Sequence, residues 1–541
     1  MANSISDLEK QGKFSSGEAE VEVEAGIDDV KTNGLDREEY DPHTGVKRGL
    51  KTRHISMMAI AGIIGPGLFI GIGRGLALCG PAALIIGFFI VGCMGLIMMF
   101  SIGELNTLYD FNFNTHAEKW VDPAFGATVG WYYVILWICN VIQEYVSFTN
   151  ILTFYTDVVP IWGWFLIFWF VFTLYQQLGV EAFGEAEYVL ALTKLVFITA
   201  FYVFAIIYAA GGIKGRSPGN PFKETPFADG FKSILNSFVY AGVYMSGIES
   251  ISLTVSESKN PRRAIPLAVK QTMFRILFVY FGICISYGIT VPYDHPALSS
   301  ENRTMKSPMT IAFTDAGWAN AGYYVSTVVV ITCFSSINCA IYLASRSLYN
   351  LSHEGYAPKI FQTHNKSGVP YVAIHTVHLF SFLNLLTLSG SGAKVYAYMV
   401  NISGVCTFIV WSAICFTHIR FRKGWLKQGH TLAELPYIAP FFPYLTYAAL
   451  AVGIILMLVQ GWSCFDPWSA PDFVDMYILL PLFPVFYYGY KYYFKTKYIS
   501  YEDMDFETGK RFTGEQVEML KIQDQNEKKK PLFHRMTHIF S

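Results

Sequence analysis

The chain has 541 residues, of which 52% are hydrophobic and only 15% charged, with a formal net charge of −1. A soluble protein of this length carries about a quarter charged residues, so a soluble enzyme is disfavoured, and the near-zero net charge argues for no nucleic-acid partner. The nine cysteines lack CxxC spacing, and no zinc pattern, GxSxG or phosphate-binding glycine loop is present, so nothing points to a metal, a cofactor or catalysis.

Residues 1–54 are polar and contain no apolar signal-peptide core, so they read as a disordered cytoplasmic tail, with the first apolar run serving as insertion signal. About twelve apolar runs follow, near 55–78, 81–109, 126–157, 160–180, 186–210, 232–256, 271–293, 317–347, 369–388, 394–419, 440–461 and 474–494. Each suffices to cross a hydrocarbon core of about 30 Å as a helix. Backbone in lipid must satisfy its own hydrogen bonds, so the expectation is an all-α membrane protein of twelve transmembrane helices. With the N-terminus inside, inner flanks hold many cations, among them Lys47, Arg48, Arg53, Arg262, Arg263, Arg275, Arg420 and Arg422. Outer flanks hold few, including Lys214, Arg216 and Lys394, so both termini are expected in the cytoplasm. Asn302 begins an Asn-Arg-Thr sequon in a predicted outer loop, a candidate N-glycosylation site. Residues 495–541 read as a second disordered tail; both tails are candidate handles for trafficking and ubiquitin machinery.

Two apolar runs carry features that a plain anchor avoids. The first contains Ala61-Gly62-Ile63-Ile64-Gly65-Pro66-Gly67. Proline removes a helix hydrogen bond and glycine disfavours helix, so the backbone is expected to unwind near Gly65. The sixth contains Val243-Tyr244-Met245-Ser246-Gly247-Ile248-Glu249, with a carboxylate inside an apolar run; intramembrane carboxylates are functional candidates. Runs one and six lie five apart, the spacing of five-helix units repeated in inverted orientation around a midplane site. Half-helix N-termini suit an α-carboxylate, and free carbonyls at half-helix C-termini suit an α-ammonium, so a zwitterion matches both. Glycine and proline also serve close helix packing, which is the other reading of each run.

Lys51-Thr52-Arg53-His54-Ile55-Ser56, Phe100-Ser101-Ile102-Gly103-Glu104-Leu105, Ser256 to Pro266, Gly368-Val369-Pro370-Tyr371 and Leu435-Pro436-Tyr437 occur in order around these runs. Through them the chain resembles the fungal (yeast-type) amino-acid permeases of the amino acid–polyamine–organocation superfamily, especially the broad-range general permeases, from about Tyr40 to Lys497. The resemblance implies a five-plus-five inverted-repeat (LeuT-like) transport core at 55–419, two further helices at 440–494 and tails at 1–54 and 495–541. It implies a plasma-membrane symporter importing amino acids with a proton as coupling ion. An amino-acid-sensing receptor of the same fold, or a permease for a polyamine or γ-aminobutyrate, are the alternatives.

By the same resemblance, backbone at Ile63, Ile64, Gly65 and Gly67 meets the substrate carboxylate, and carbonyls at Val243, Tyr244 and Ser246 meet the ammonium. Many relatives have Thr or Ser where this chain has Pro66, which offers neither hydroxyl nor N–H. Glu144 matches a glutamate at the substrate cavity, and Ser403 falls where relatives vary with substrate. Lys194 lies inside the fifth run, where a lone ammonium costs about 3 kcal/mol. It matches a family lysine that occupies the sodium position of sodium-coupled cousins, as proton-coupling group or fixed cation. Glu249 is the second proton-coupling candidate; its alternative role is to hold the sixth run open by accepting backbone N–H groups.

Overall fold

The computed structural model describes residues 52–58, 64–156, 158–178, 180–254, 261–299, 307–365, 368–388, 392–465, 467–512, 514–519 and 521. Among them the chain is helical and contains no strand, only two isolated bridges. The helices that matter below are α1 (Gly71–Cys79), α2 (Pro81–Leu108), α3 (Phe113–Trp120), α4 (Pro123–Leu152), α5 (Ile161–Tyr175), α6 (Val180–Ala209), α7 (Gly230–Met245), α8 (Ile265–Thr290), α9 (Ala321–His353), α10 (Tyr371–Leu388), α11 (Gly392–Lys427), α12 (Tyr444–Val459), α13 (Ala470–Tyr477) and α14 (Leu479–Phe494).

Eight described helices are long and apolar enough to cross a membrane, and the pair α13–α14, bent by 44°, makes a ninth. The three remaining apolar runs hold shorter pieces. The fourth is α5, of 15 residues. The first and sixth are the two expected to unwind, and both are interrupted. Helix starts follow local chemistry: Asp122 caps α4 by accepting from the Ala124 N–H at 2.9 Å, with Pro123 at the first helical position, where a missing N–H does no harm.

The centre of the molecule is built from α4, α9 and α11, which are far more buried than α6, α10 and α12. Apolar surface alone does not drive helices together in lipid, so close approach is obtained with small residues. A Cβ on Gly87 would meet Ser237, on Gly95 Trp411, on Gly130 Leu351 and on Gly242 Phe408, each on a helix other than the glycine's own.

One expectation needs correction. The segment after α14 is not a disordered tail over 498–512. The Ile499 N–H donates to Val121 O at 3.0 Å, the Arg511 N–H donates to Leu108 O at 2.8 Å, and Tyr109 Oη donates to Phe506 O at 2.8 Å. Met504 and Phe506 enter a second apolar cluster with Leu105, Leu108, Tyr109, Trp120, Phe421, Trp425 and Leu435. The tail's polar composition concealed two apolar anchors. Arg275 also departs from its reading as a flanking cation: it is fully buried, in a π-helical turn, and donates to Tyr280 Oη at 2.9 and 2.7 Å. Residues 1–51, Ile63 and Asn302 lie outside the described residues, whereas Thr52 to His54, expected in the tail, belong to a short helix, Thr52–Met57.

Candidate substrate and coupling site

At the first break Gly65 is extended (φ −95°, ψ −179°) and Pro66 opens a single 3-10 turn, Pro66–Leu68, before α1 starts at Gly71. The carbonyls released there are collected from elsewhere: Ser307 Oγ donates to Phe69 O at 2.7 Å, and Tyr287 Oη reaches Leu68 O at 3.4 Å. At the second break α7 ends at Met245, Ser246 turns extended, and Gly247 takes φ +92°, a left-handed conformation that favours glycine. A 3-10 turn, Ile248–Ser250, follows. Glu249 grips this break: both carboxylate oxygens accept from the Gly247 N–H at 3.1 Å, and Oε2 also accepts from Trp411 Nε1 at 2.9 Å.

The two breaks face one cavity. Ile64, Gly65 and Gly67 line it from the first, Val243, Tyr244 and Ser246 from the second, Gln143 and Glu144 from α4, and Ser336 from α9. Glycine is required at the first break by close approach: a Cβ on Gly65 would strike the Glu144 carboxylate, and one on Gly67 the Tyr244 ring. The cavity leaves about 40 Å³ of free space, room for roughly three waters. A solute larger than a few waters would fit only if lining side chains such as Tyr244 withdrew. Val243 O already accepts from both the N–H of Ser246 (3.3 Å) and its Oγ (2.7 Å), which occupies its two lone pairs in this conformation. Ser403 does not line the cavity; it accepts from Gln143 Nε2 at 2.6 Å and so holds a lining side chain.

Lys194 is buried on α6 and donates to Ser335 Oγ at 2.7 Å. Ser335 in turn donates to Glu187, a fully buried carboxylate on α6. The next residue on α9, Ser336, donates to Glu144 Oε2 at 2.6 Å. Neighbouring residues of α9 thus hold the buried lysine and the cavity carboxylate. Sequence reasoning missed Glu187, because it stands at the edge of its apolar run, in Gly184-Glu185-Ala186-Glu187, and reads as a polar flank. Its signal was spacing: seven residues before Lys194, two helical turns, on one face.

The profile of the amino acid permease family matches residues 54–500, nearly the whole helical region. The chain belongs to the amino acid permease family. The permease is 58% identical to an uncharacterized amino-acid permease of Schizosaccharomyces pombe, over 92% of each chain. It is 46% identical to the general amino acid permease AGP3 of Saccharomyces cerevisiae, over 83% of this chain and 82% of that one. It is 32% identical to the lysine-specific permease LysP of Escherichia coli, over 85% and 96%. These relatives are transporters, and the permease is a multi-pass membrane protein of that class rather than an enzyme.

Proposed function

We propose that the permease imports amino acids across the plasma membrane by proton symport, over a broad substrate range, by alternating access around the cavity between the two breaks. Twelve spans, a five-plus-five inverted repeat over 55–419, an accessory pair at 440–494 and cytoplasmic termini complete the reading. The observation that carries it is the Ser335–Ser336 pair. It ties Glu144, against the first break, to Lys194, the buried cation. In this reading a charge change at one end shifts the other through α9, as symport requires.

In this reading the N–H groups of Ile63, Ile64, Gly65 and Gly67 take the α-carboxylate, and carbonyls at Val243, Tyr244 and Ser246 take the α-ammonium. Glu144, together with Ser403 acting through Gln143, shapes the side-chain pocket. Lys194 serves proton coupling, as carrier or fixed cation. Glu249 is the second coupling candidate, and its contacts to Gly247 and Trp411 favour a role in keeping the sixth run open. The broad range draws support from the name of the AGP3 relative. Glycosylation at Asn302 belongs to the same topology.

The test is uptake of one labelled amino acid into cells lacking their own permeases, challenged by each of the others, at two external pH values. Accumulation that rises on acidification and collapses with a protonophore is expected. Binding without accumulation would instead identify a receptor, and pH-independent uptake would remove proton coupling.

A further inference from the structure

Glu187 is fully buried on α6. Ser335 Oγ donates to its Oε1. Among the described residues no hydrogen-bond donor reaches its Oε2, and the Cys339 thiol, a weak donor, is a further neighbour of the carboxylate. Lys194 does not touch the carboxylate; the Ser335 hydroxyl stands between them. The ionisable side chains facing Glu187 are Lys194 on its own helix, Cys339 on α9 and Tyr175 on α5. Glu144 and Arg275 act on Lys194 from further off.

A buried carboxylate with one oxygen poorly solvated carries a proton more readily than a charge. The Lys194 ammonium donates to the same Ser335 hydroxyl. A second cavity, of about 20 Å³, has room for about one water and includes Tyr175, a neighbour of Glu187, in its lining. It is lined by Phe183, one turn before Glu187, and by Asn338, Tyr342 and Arg346, which step along α9 toward its C-terminal end.

We infer that Glu187 carries the coupled proton, that Lys194 stays charged throughout, and that the cavity along Asn338 and Arg346 is the route by which the proton leaves. This rests on the proton-symport reading above and names the group within it. An external proton adds to a Glu187 oxygen, forming O–H, and the Glu187–Lys194 pair goes from neutral to a single positive charge. After the site opens inward, that O–H bond breaks and the proton passes to water in the second cavity and on to the cytoplasm. The pair returns neutral. Ser335 transmits the change to Ser336 and Glu144, beside the substrate.

The experiment uses the full-length protein in proteoliposomes with one labelled amino acid, comparing net uptake driven by an inward proton gradient with counterflow at equal pH. Glu187→Gln mimics the proton-loaded state. It is expected to keep counterflow within about threefold of wild type, while net uptake loses its dependence on external pH and accumulation drops about tenfold or more. Glu187→Asp restores pH dependence. A Glu187→Gln protein with the wild-type pH profile and full accumulation overturns the proposal, as does one that folds but loses counterflow too. If the wild type itself shows no proton-driven accumulation, the symport reading fails independently of Glu187. Should Glu187→Gln not reach the membrane, Ser335→Ala decides: a displaced pH midpoint supports the assignment, and an unchanged one overturns it.

Discussion

The Glu144 carboxylate occupies the space that a side chain at Gly65 would need. A methyl group there would have to push that carboxylate away from its place against Ser336. Gly65→Ala is expected to lower kcat/KM for uptake at least about tenfold, about 1.4 kcal/mol, at unchanged surface expression. Uptake at the wild-type level would remove the first break from the substrate site.

Ser403 acts on the cavity through Gln143, which also donates to Met399 O at 3.0 Å. Ser403→Ala leaves that second contact in place, so the amide relaxes without being released. The expected outcome is a changed order of competitors in an uptake panel, with KM values moving by a few fold and kcat for the preferred substrate held. An unchanged order would make Ser403 a packing residue only.

Glu104, fully buried near the end of α2, joins three segments. It accepts from Arg422 Nη2 at 2.6 Å, from the Ala439 N–H at 2.7 Å, and pairs with His418 Nε2 at 3.0 Å. Removing one partner of such a buried pair leaves an uncompensated charge and costs about 3–5 kcal/mol. Glu104→Ala is expected to lower the unfolding temperature in detergent sharply. Glu104→Ala combined with Arg422→Met should cost less than the sum of the two single changes.

The docked segment beyond α14 makes its own prediction. Phe506 packs on Trp120, Phe421 and Trp425, so Phe506→Ala is expected to cost about 3 kcal/mol. Limited proteolysis should then cut between residues 498 and 512 faster than in the wild type. Equal cleavage rates would show that the segment contributes little to its own docking.

Glu354, just past the end of α9, accepts from Asn114 Nδ2 at 2.7 Å. Burial first, then the neighbouring Glu118 carboxylate, raises it from the usual 4.5 to about 8. Between those two values the folded protein holds a proton that the unfolded chain has released, so stability falls as pH rises through that window. Below pH 4.5 both states hold the proton, and above about 8 neither does. Glu354→Gln should therefore show a smaller loss of unfolding temperature between pH 5 and pH 8 than the wild type. An equal loss would place the pH sensitivity elsewhere.

Most of the helical pattern is legible in the chain because lipid imposes one rule on every segment: long apolar runs must become helices. Pro66 among glycines, and Gly247 beside Ser246, announce the two interruptions because local backbone preference acts wherever the chain happens to sit. Glu249 as a clamp on its own break was readable for the same reason, since its partner Gly247 is two residues away. Glu187 was not readable, because its significance comes from Ser335, 148 residues distant. Nor were Met504 and Phe506, whose hydrophobic partners lie on other elements.

Composition, apolar length and helix-breaking residues are local quantities, and they were enough to establish a helical membrane protein with two broken segments. Which buried carboxylate meets which hydroxyl, and that a polar-looking tail folds back onto the helix ends, depend on contacts between distant parts of the chain. Packing selects those contacts by shape and by the cost of leaving a buried polar atom unpaired, and neither is written in any one stretch of residues.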